Sequence, residues 1–182
     1  MAQVQIYDTT LRDGAQREGI SFSLVDKLHI VQKLDELGVQ YIEGGWPGSN
    51  PKDAEFFTQV KKLKLVNAQV AAFGSTRRAK IKAADDDNLQ ALVNTGMKIA
   101  TLVCKNSIQQ VAQVLRTTPD ENLNMIADSI HFLREKGIIA FYDAEHFFDG
   151  LKADKDYALE CLKVAAKAGA GCLILCDTNG GA

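Results

Sequence analysis

Six times along this 182-residue chain, a short apolar run rich in β-branched and aromatic residues is followed by a stretch with apolar side chains at helical spacing. Such an alternation has few outlets, because neighbouring parallel strands need a long crossover and each crossover helix must cover a face of the sheet. The strand candidates are Val4 to Tyr7, Tyr41 to Trp46, Ala68 to Phe73, Lys98 to Cys104, Ile138 to Ala144 and Cys172 to Asp177.

Helix signals fall between them. Ser23 with Asp26 three residues on predicts a capping box, and Leu24, Leu28, Val31 and Leu34 recur at helical spacing until Gly38. Asn50 followed by Pro51 marks the next start, since proline loses nothing at the first helical position. A third helix is expected after the acidic Asp85 to Asp87 and before Gly96. A short helix carrying Val111, Val114 and Leu115 then precedes a longer one opened by Thr118-Pro119-Asp120-Glu121, a second expected capping box, and a last helix runs from about Asp154 to Gly169.

The pattern leaves two architectures, an open doubly wound sheet or a barrel. A dinucleotide fold calls for a tight glycine fingerprint after its first strand, and Asp8 to Gly14 holds one glycine. The expectation is therefore an α/β chain, a (β/α)8 TIM barrel truncated after about six βα units, because a whole barrel takes about 250 residues.

Charge excludes some functions. With 21 basic and 23 acidic residues mixed along the chain and a net charge of −2, there is no footprint for nucleic acid or an anionic membrane. No apolar run approaches the ~20 residues of a bilayer span, and no leader-like segment opens the chain, so a cytoplasmic protein without membrane partners is expected. The four cysteines, Cys104, Cys161, Cys172 and Cys176, read as reduced core thiols. Cys172 and Cys176 would lie about 13 Å apart along a strand, too far to share one zinc.

Polar residues cluster just beyond the apolar part of nearly every strand: Arg12 and Asp13, Glu43, then Asp143, Glu145 and His146, then Asp177, Thr178 and Asn179. In a parallel barrel those ends converge on one mouth. Asp13 offers a hard oxygen ligand to a divalent cation, Arg12 a fixed charge for an oxyanion or enolate, and Glu43 or Glu145 a proton carrier. Together these types describe carbonyl chemistry through an enolate. Against each residue singly stands a plainer reading, such as a solvated Glu43 or an Arg12–Asp13 surface pair worth under about 1 kcal/mol. His29 and His131 fall within helices away from the expected mouth and read as structural or solvated.

The run Asp8-Thr9-Thr10-Leu11-Arg12-Asp13-Gly14, followed by Gln16, resembles the signature of the metallolyase-type barrels. Isopropylmalate, homocitrate and citramalate synthases and hydroxymethylglutaryl-CoA lyase belong to that group. The stretches Glu43 to Pro51 and Phe141 to Gly150 look closest to the citramalate synthases. The resemblance implies an acetyl-CoA-dependent acyltransferase condensing acetyl-CoA with a 2-oxo acid, pyruvate first, in branched-chain amino acid biosynthesis. 2-Isopropylmalate or homocitrate synthesis is the alternative.

It also implies roles. Asp13 becomes the metal ligand, with Gln16 near the metal or its waters, and the cation is Mg, Mn or Zn. Arg12 holds the 2-oxo acid carbonyl, Glu43 orients Arg12, Glu145 joins the proton relay, and Thr178 binds the substrate carboxylate. His146 is a proton carrier or supporting group, and Asn179 stands behind Thr178. Phe73 and Leu102 are candidates for setting substrate length. In the family a His-x-His pair from a seventh strand completes the metal site, and a C-terminal regulatory domain follows the barrel; residues 1–182 contain neither. Carboxyltransferase relatives carry a lysine where this chain has Cys176, which disfavours that chemistry. The expected partners are the small-molecule substrates and, in the intact enzyme, a second copy forming a homodimer. A barrel fragment this size, standing alone, is expected to be inactive and prone to self-association.

Overall fold

The computed structural model describes residues 4–181. Six strands, β1 (Tyr7–Asp8), β2 (Tyr41–Gly45), β3 (Gln69–Ser75), β4 (Ile99–Lys105), β5 (Ile139–Glu145) and β6 (Cys172–Leu175), form one parallel sheet in sequential order. The helices are α1 (Leu24–Leu37), α2 (Pro51–Val60), α3 (Asp87–Asn94), α4 (Ile108–Gln110) running into a π-helical turn at Val111–Leu115, α5 (Pro119–Glu135), α6 (Phe147–Ala153) and α7 (Lys155–Ala168).

Local chemistry sets the helix starts. Ser23 and Asp26 make both halves of a capping box on α1. Asn50 accepts from the Asp53 N–H with Pro51 at the first turn of α2, Asp86 accepts from Asn88 and Leu89, and Asp154 accepts from Tyr157. The second expected box is only half made. Thr118 accepts from the Glu121 N–H, but the Glu121 carboxylate takes the Arg77 guanidinium at 2.8 Å and the Lys80 N–H instead. A charge-assisted bond to a nearly buried arginine outcompetes the exposed capping contact.

Side chains alternate across the sheet. Ala72, Ala100, Leu102, Ala140, Tyr142 and Ala144 face the helices and join the large core, which includes Phe56, Leu89, Ile130 and Ala165. The other face carries a small cluster of Ala71, Ile99 and Phe141 with Tyr7, Tyr41 and Ile174. That second cluster shows the sheet is curled. In a flat sheet β1 and β4, or β2 and β5, would lie roughly 14 Å apart. Here the Tyr7 hydroxyl is 2.7 Å from Thr101 Oγ1 and the Tyr41 and Phe141 rings are 5.3 Å apart. The sheet is a TIM-barrel wall whose inner face closes on itself.

The strands differ from expectation mainly at their carboxyl ends. β3, β4 and β5 run on to Ser75, Lys105 and Glu145, whereas β6 stops at Leu175 and β1 is confined to Tyr7–Asp8. Apolar patterning marks only the buried part of a strand, while the ladder continues through the polar pairing of Lys105 with Glu145. At the start of the chain, Val4 and Ile6 are exposed and the Ile6 N–H is taken by the Gln40 side chain. Only Cys104 and Cys161 are core thiols; Cys172 is exposed and Cys176 half-buried, because β6 has β5 as its sole partner among the described residues.

Candidate active site

The inner face turns polar towards the carboxyl ends of the strands. On β5, Phe141 gives way to Asp143 and then Glu145; on β4, Thr101 to Val103 and Lys105; on β2, Tyr41 to Glu43. Glu43, Val103, Asp143 and Glu145 line a cavity of about 470 Å³ with Arg12, Phe73, Cys176 and Thr178. A second space of about 620 Å³ adjoins it, sharing Arg12, Asp13, Phe73, Val103, Glu145 and Thr178 and reaching Arg77 and Arg78 after β3.

Arg12 is fixed on three sides. Its Nε donates to Glu43 Oε1 at 2.5 Å, Nη1 lies 3.3 Å from Asp13 Oδ1, and the guanidinium carbon sits 3.8 Å from the centre of the Phe73 ring. Glu43 is 1% exposed, so the reading of a solvated loop carboxylate fails for it. It sits in a bulge where β2 slips against β3, next to Gly45 at φ 141°, and a Cβ there would meet the Asp53 carboxylate at 2.7 Å. Tyr7 donates its one hydroxyl proton to Glu43 Oε2 at 2.6 Å, so the Thr101 hydroxyl must donate to Tyr7. Burial raises the Glu43 carboxyl against the opposing pull of Arg12 and Tyr7. Burial and the Glu43 charge push the Tyr7 hydroxyl well above its ordinary value, which keeps it a donor.

Two further contacts occupy the opposite wall. Lys105 pairs with Glu145 across β4 and β5, and the Cys176 thiol donates to Asp143 Oδ1 at 3.0 Å. Asp143 is raised by burial, which outweighs the Cys176 hydrogen bond and the Arg12 charge. Thr178 accepts the His146 N–H at 2.9 Å and keeps its own proton to donate.

The family model described as HMGL-like matches residues 3–182. This chain belongs to the HMGL-like family. Among curated relatives it is 54% identical over 181 residues to an (R)-citramalate synthase of Geobacter sulfurreducens and 50% identical over 178 residues to one of Sulfolobus acidocaldarius. These alignments cover 100% and 98% of the chain but 34% of each relative, so it spans about a third of their length. A 2-isopropylmalate synthase of Sulfolobus acidocaldarius is 33% identical over 98% of the chain and 43% of its own length. Among solved structures, a hydroxymethylglutaryl-CoA lyase from Pseudomonas aeruginosa superposes with TM-score 0.77 at 19% identity, covering 99% of this chain and 59% of that one. The lyase from Brucella melitensis gives 0.68 at 13%, covering 93% and 60%, and both establish the fold alone.

The HMGL-like barrel mouth thus gathers Arg12, Asp13, Glu43, Glu145 and Thr178, with Gln16 at its rim at the end of a 3-10 turn. His146 stands apart: its backbone is left-handed at φ 53°, and its ring contacts Asp149 at 3.3 Å rather than Glu145. Asn179 donates to the same Asp149 and ties the segment after β6 to α6. Leu102 is wholly buried towards the helices, one residue out of phase with the mouth, and cannot set substrate length; Val103 occupies the inner position. Phe73 does line the cavity. Sequence reasoning overlooked Tyr7, Thr101 and Lys105, whose signal lay in the inward phase of β1 and β4.

Among the described residues no three His, Cys, Asp or Glu side chains converge as a metal-binding group. Asp13, with its side chain 63% exposed beside Arg12, offers one carboxylate, which does not make a cation site alone. Also among the described residues, no helix is long and apolar enough to cross a membrane.

Proposed function

We propose that the protein containing this chain condenses acetyl-CoA with a 2-oxo acid, pyruvate in the first place, releasing citramalate and CoA. The observation that carries the reading is the partly buried Arg12–Glu43 pair facing the mouth, a cation held where an oxyanion would develop. Substrate choice rests on the relatives: five (R)-citramalate synthases stand at 49–54% identity, against 30–33% for three 2-isopropylmalate synthases.

In this reading Arg12 receives the ketone oxygen of the 2-oxo acid, and Thr178 donates to its carboxylate. The Glu145 carboxylate, paired with Lys105, takes a proton from the acetyl methyl group, directly or through water. The resulting enolate carbon bonds to the ketone carbon while the ketone π electrons move onto oxygen, where Arg12 stabilises the alkoxide until it is protonated. Water then cleaves the thioester, so that pyruvate, acetyl-CoA and water give citramalate and CoA. Asp13 offers one hard oxygen to a divalent cation that would polarise the ketone, Mg, Mn and Zn all being compatible with such a donor.

The test is CoA release by the intact protein with pyruvate, 2-oxoisovalerate and 2-oxoglutarate as alternative acceptors. Pyruvate is expected to give the highest kcat/KM. A preference for either longer acid would move the assignment to the isopropylmalate or homocitrate type.

A further inference from the structure

The condensation develops negative charge twice: on the thioester oxygen when the acetyl methyl group loses its proton, and on the ketone oxygen when the new bond forms. Arg12 meets the second charge and leaves the first without a cation. We propose that the Lys105 ammonium is a further catalytic residue, one that hydrogen-bonds the enolate oxygen of the thioester. This inference rests on the condensation reading above.

Lys105 ends β4 directly opposite Glu145 at the end of β5, and the two side chains pair there. Of the cations lining the larger cavity, Arg12 is held by Glu43, Arg77 is held by Glu121 and Asp128, and Arg78 lies on an exposed stretch after β3. Among the described residues, Lys105 is the cation in contact with the base. The thioester oxygen is two bonds from the carbon that loses the proton, so a donor touching the Glu145 carboxylate lies within its reach. Both residues are also held from behind. Asn122 donates to the Lys105 carbonyl at 3.0 Å, and Asn106 bridges the two strands by donating to the Cys104 carbonyl at 3.1 Å and the Glu145 carbonyl at 3.3 Å. Asn106 and Asn122 are wholly buried, and Tyr142 donates to Asn106 Oδ1 at 2.5 Å. A solvated ion pair needs no such foundation, whereas a donor aimed at a developing charge is effective because nothing has to reorganise around it.

The charges balance through the step. Before it, Lys105 neutralises Glu145. As the methyl C–H bond breaks, the proton goes to Glu145, the bonding pair forms the carbon–carbon double bond, and the carbonyl π electrons move onto the thioester oxygen. Glu145 is then neutral and the enolate carries the charge, so Lys105 exchanges one anionic partner for another and is never left uncompensated in a partly dehydrated site. The thioester carbonyl re-forms when the enolate carbon attacks the ketone.

The experiment uses the intact protein and its Lys105→Met and Lys105→Gln variants, Met keeping an unbranched stem and Gln a polar end. The probe is S-carboxymethyl-CoA, a thioether that places a carboxylate oxygen where the enolate oxygen forms, with acetyl-CoA as its reference. Their affinities are measured by calorimetry, which does not depend on how much of a variant folds. We expect kcat with pyruvate to fall by more than about tenfold in both variants, and the affinity for S-carboxymethyl-CoA relative to acetyl-CoA to fall by more than about tenfold as well. A smaller change in either quantity, in a variant that circular dichroism reports as folded, overturns the proposal; a lower kcat with an unmoved affinity ratio would mean that Lys105 only aims Glu145. A parent that releases no CoA with any 2-oxo acid instead removes the condensation reading itself.

Discussion

Arg12 shows how the surroundings of a single position fix its charge in place. Its guanidinium lies on the Phe73 face and takes its counter-charge from a carboxylate that is 1% exposed and held by Tyr7 from the other side. Glu43→Gln keeps the shape and one acceptor but removes the counter-charge. We expect kcat/KM with pyruvate to fall about a hundredfold, the size associated with losing one oriented oxyanion contact. Breaking a partly buried ion pair should also lower stability by about 1–3 kcal/mol, less than for a fully desolvated pair because Arg12 retains some solvent contact. CoA release and thermal unfolding measured on the same preparation check both, and a rate within threefold of the parent would show that Glu43 does not set the geometry of Arg12. Arg12, Asp13 and Glu43 were legible because they follow apolar runs in a specific motif. Lys105 was not, since a lysine ahead of Asn106 and Ser107 reads as a solvated strand end until β5 brings Glu145 beside it.

Among the elements, the helix starts were readable because capping is local, a matter of three or four consecutive residues. The joints between elements were less so. Asp35, in the last turn of α1, sits in a sequence position that suits a water-facing carboxylate. In the structure it is buried and accepts the backbone N–H groups of Val66, Asn67 and Ala68 at the entry to β3. Burial pushes its carboxyl up, but these donors outweigh it and hold the group below the ordinary carboxylate range. Asp35→Ala leaves three donors without an acceptor, at about 1 kcal/mol each before water recovers part of the loss near exposed Val66. We expect a loss of about 2–3 kcal/mol in chemical denaturation, with kcat/KM unchanged because Asp35 is outside the mouth. Asp35→Asn should lose less, since its amide oxygen still accepts. Equal stability of parent and alanine variant would mean that the joint is held by packing rather than by these bonds.

For the molecule as a whole, periodicity identified which strands exist and which way they run, but not what holds the curl of the sheet. Contacts such as Tyr7 with Thr101, or Tyr41 with Phe141, join residues from strands that are not neighbours, and a pattern along one strand carries no information about them. They arise only after strand tilt and twist have brought the inner faces together. Phe141 is central: it is 6% exposed, packs with Ala71 and Ile99, and sits 6.2 Å from the Tyr7 ring and 5.3 Å from Tyr41. Phe141→Ala opens a void under the mouth, and truncations of this kind cost about 3–5 kcal/mol. The consequence should extend to activity. Tyr7 loses the ring that supports it, and its hydroxyl is what holds Glu43 from the side away from Arg12. We therefore expect Phe141→Ala to lose kcat more than tenfold at temperatures where circular dichroism still reports a folded protein, and Phe141→Leu, which refills most of the space, to keep most of it. If the alanine variant were destabilised yet as active as the parent, the aromatic floor and the polar mouth would be independent, and the support of Arg12 would have to come from Phe73 and the β2 bulge alone.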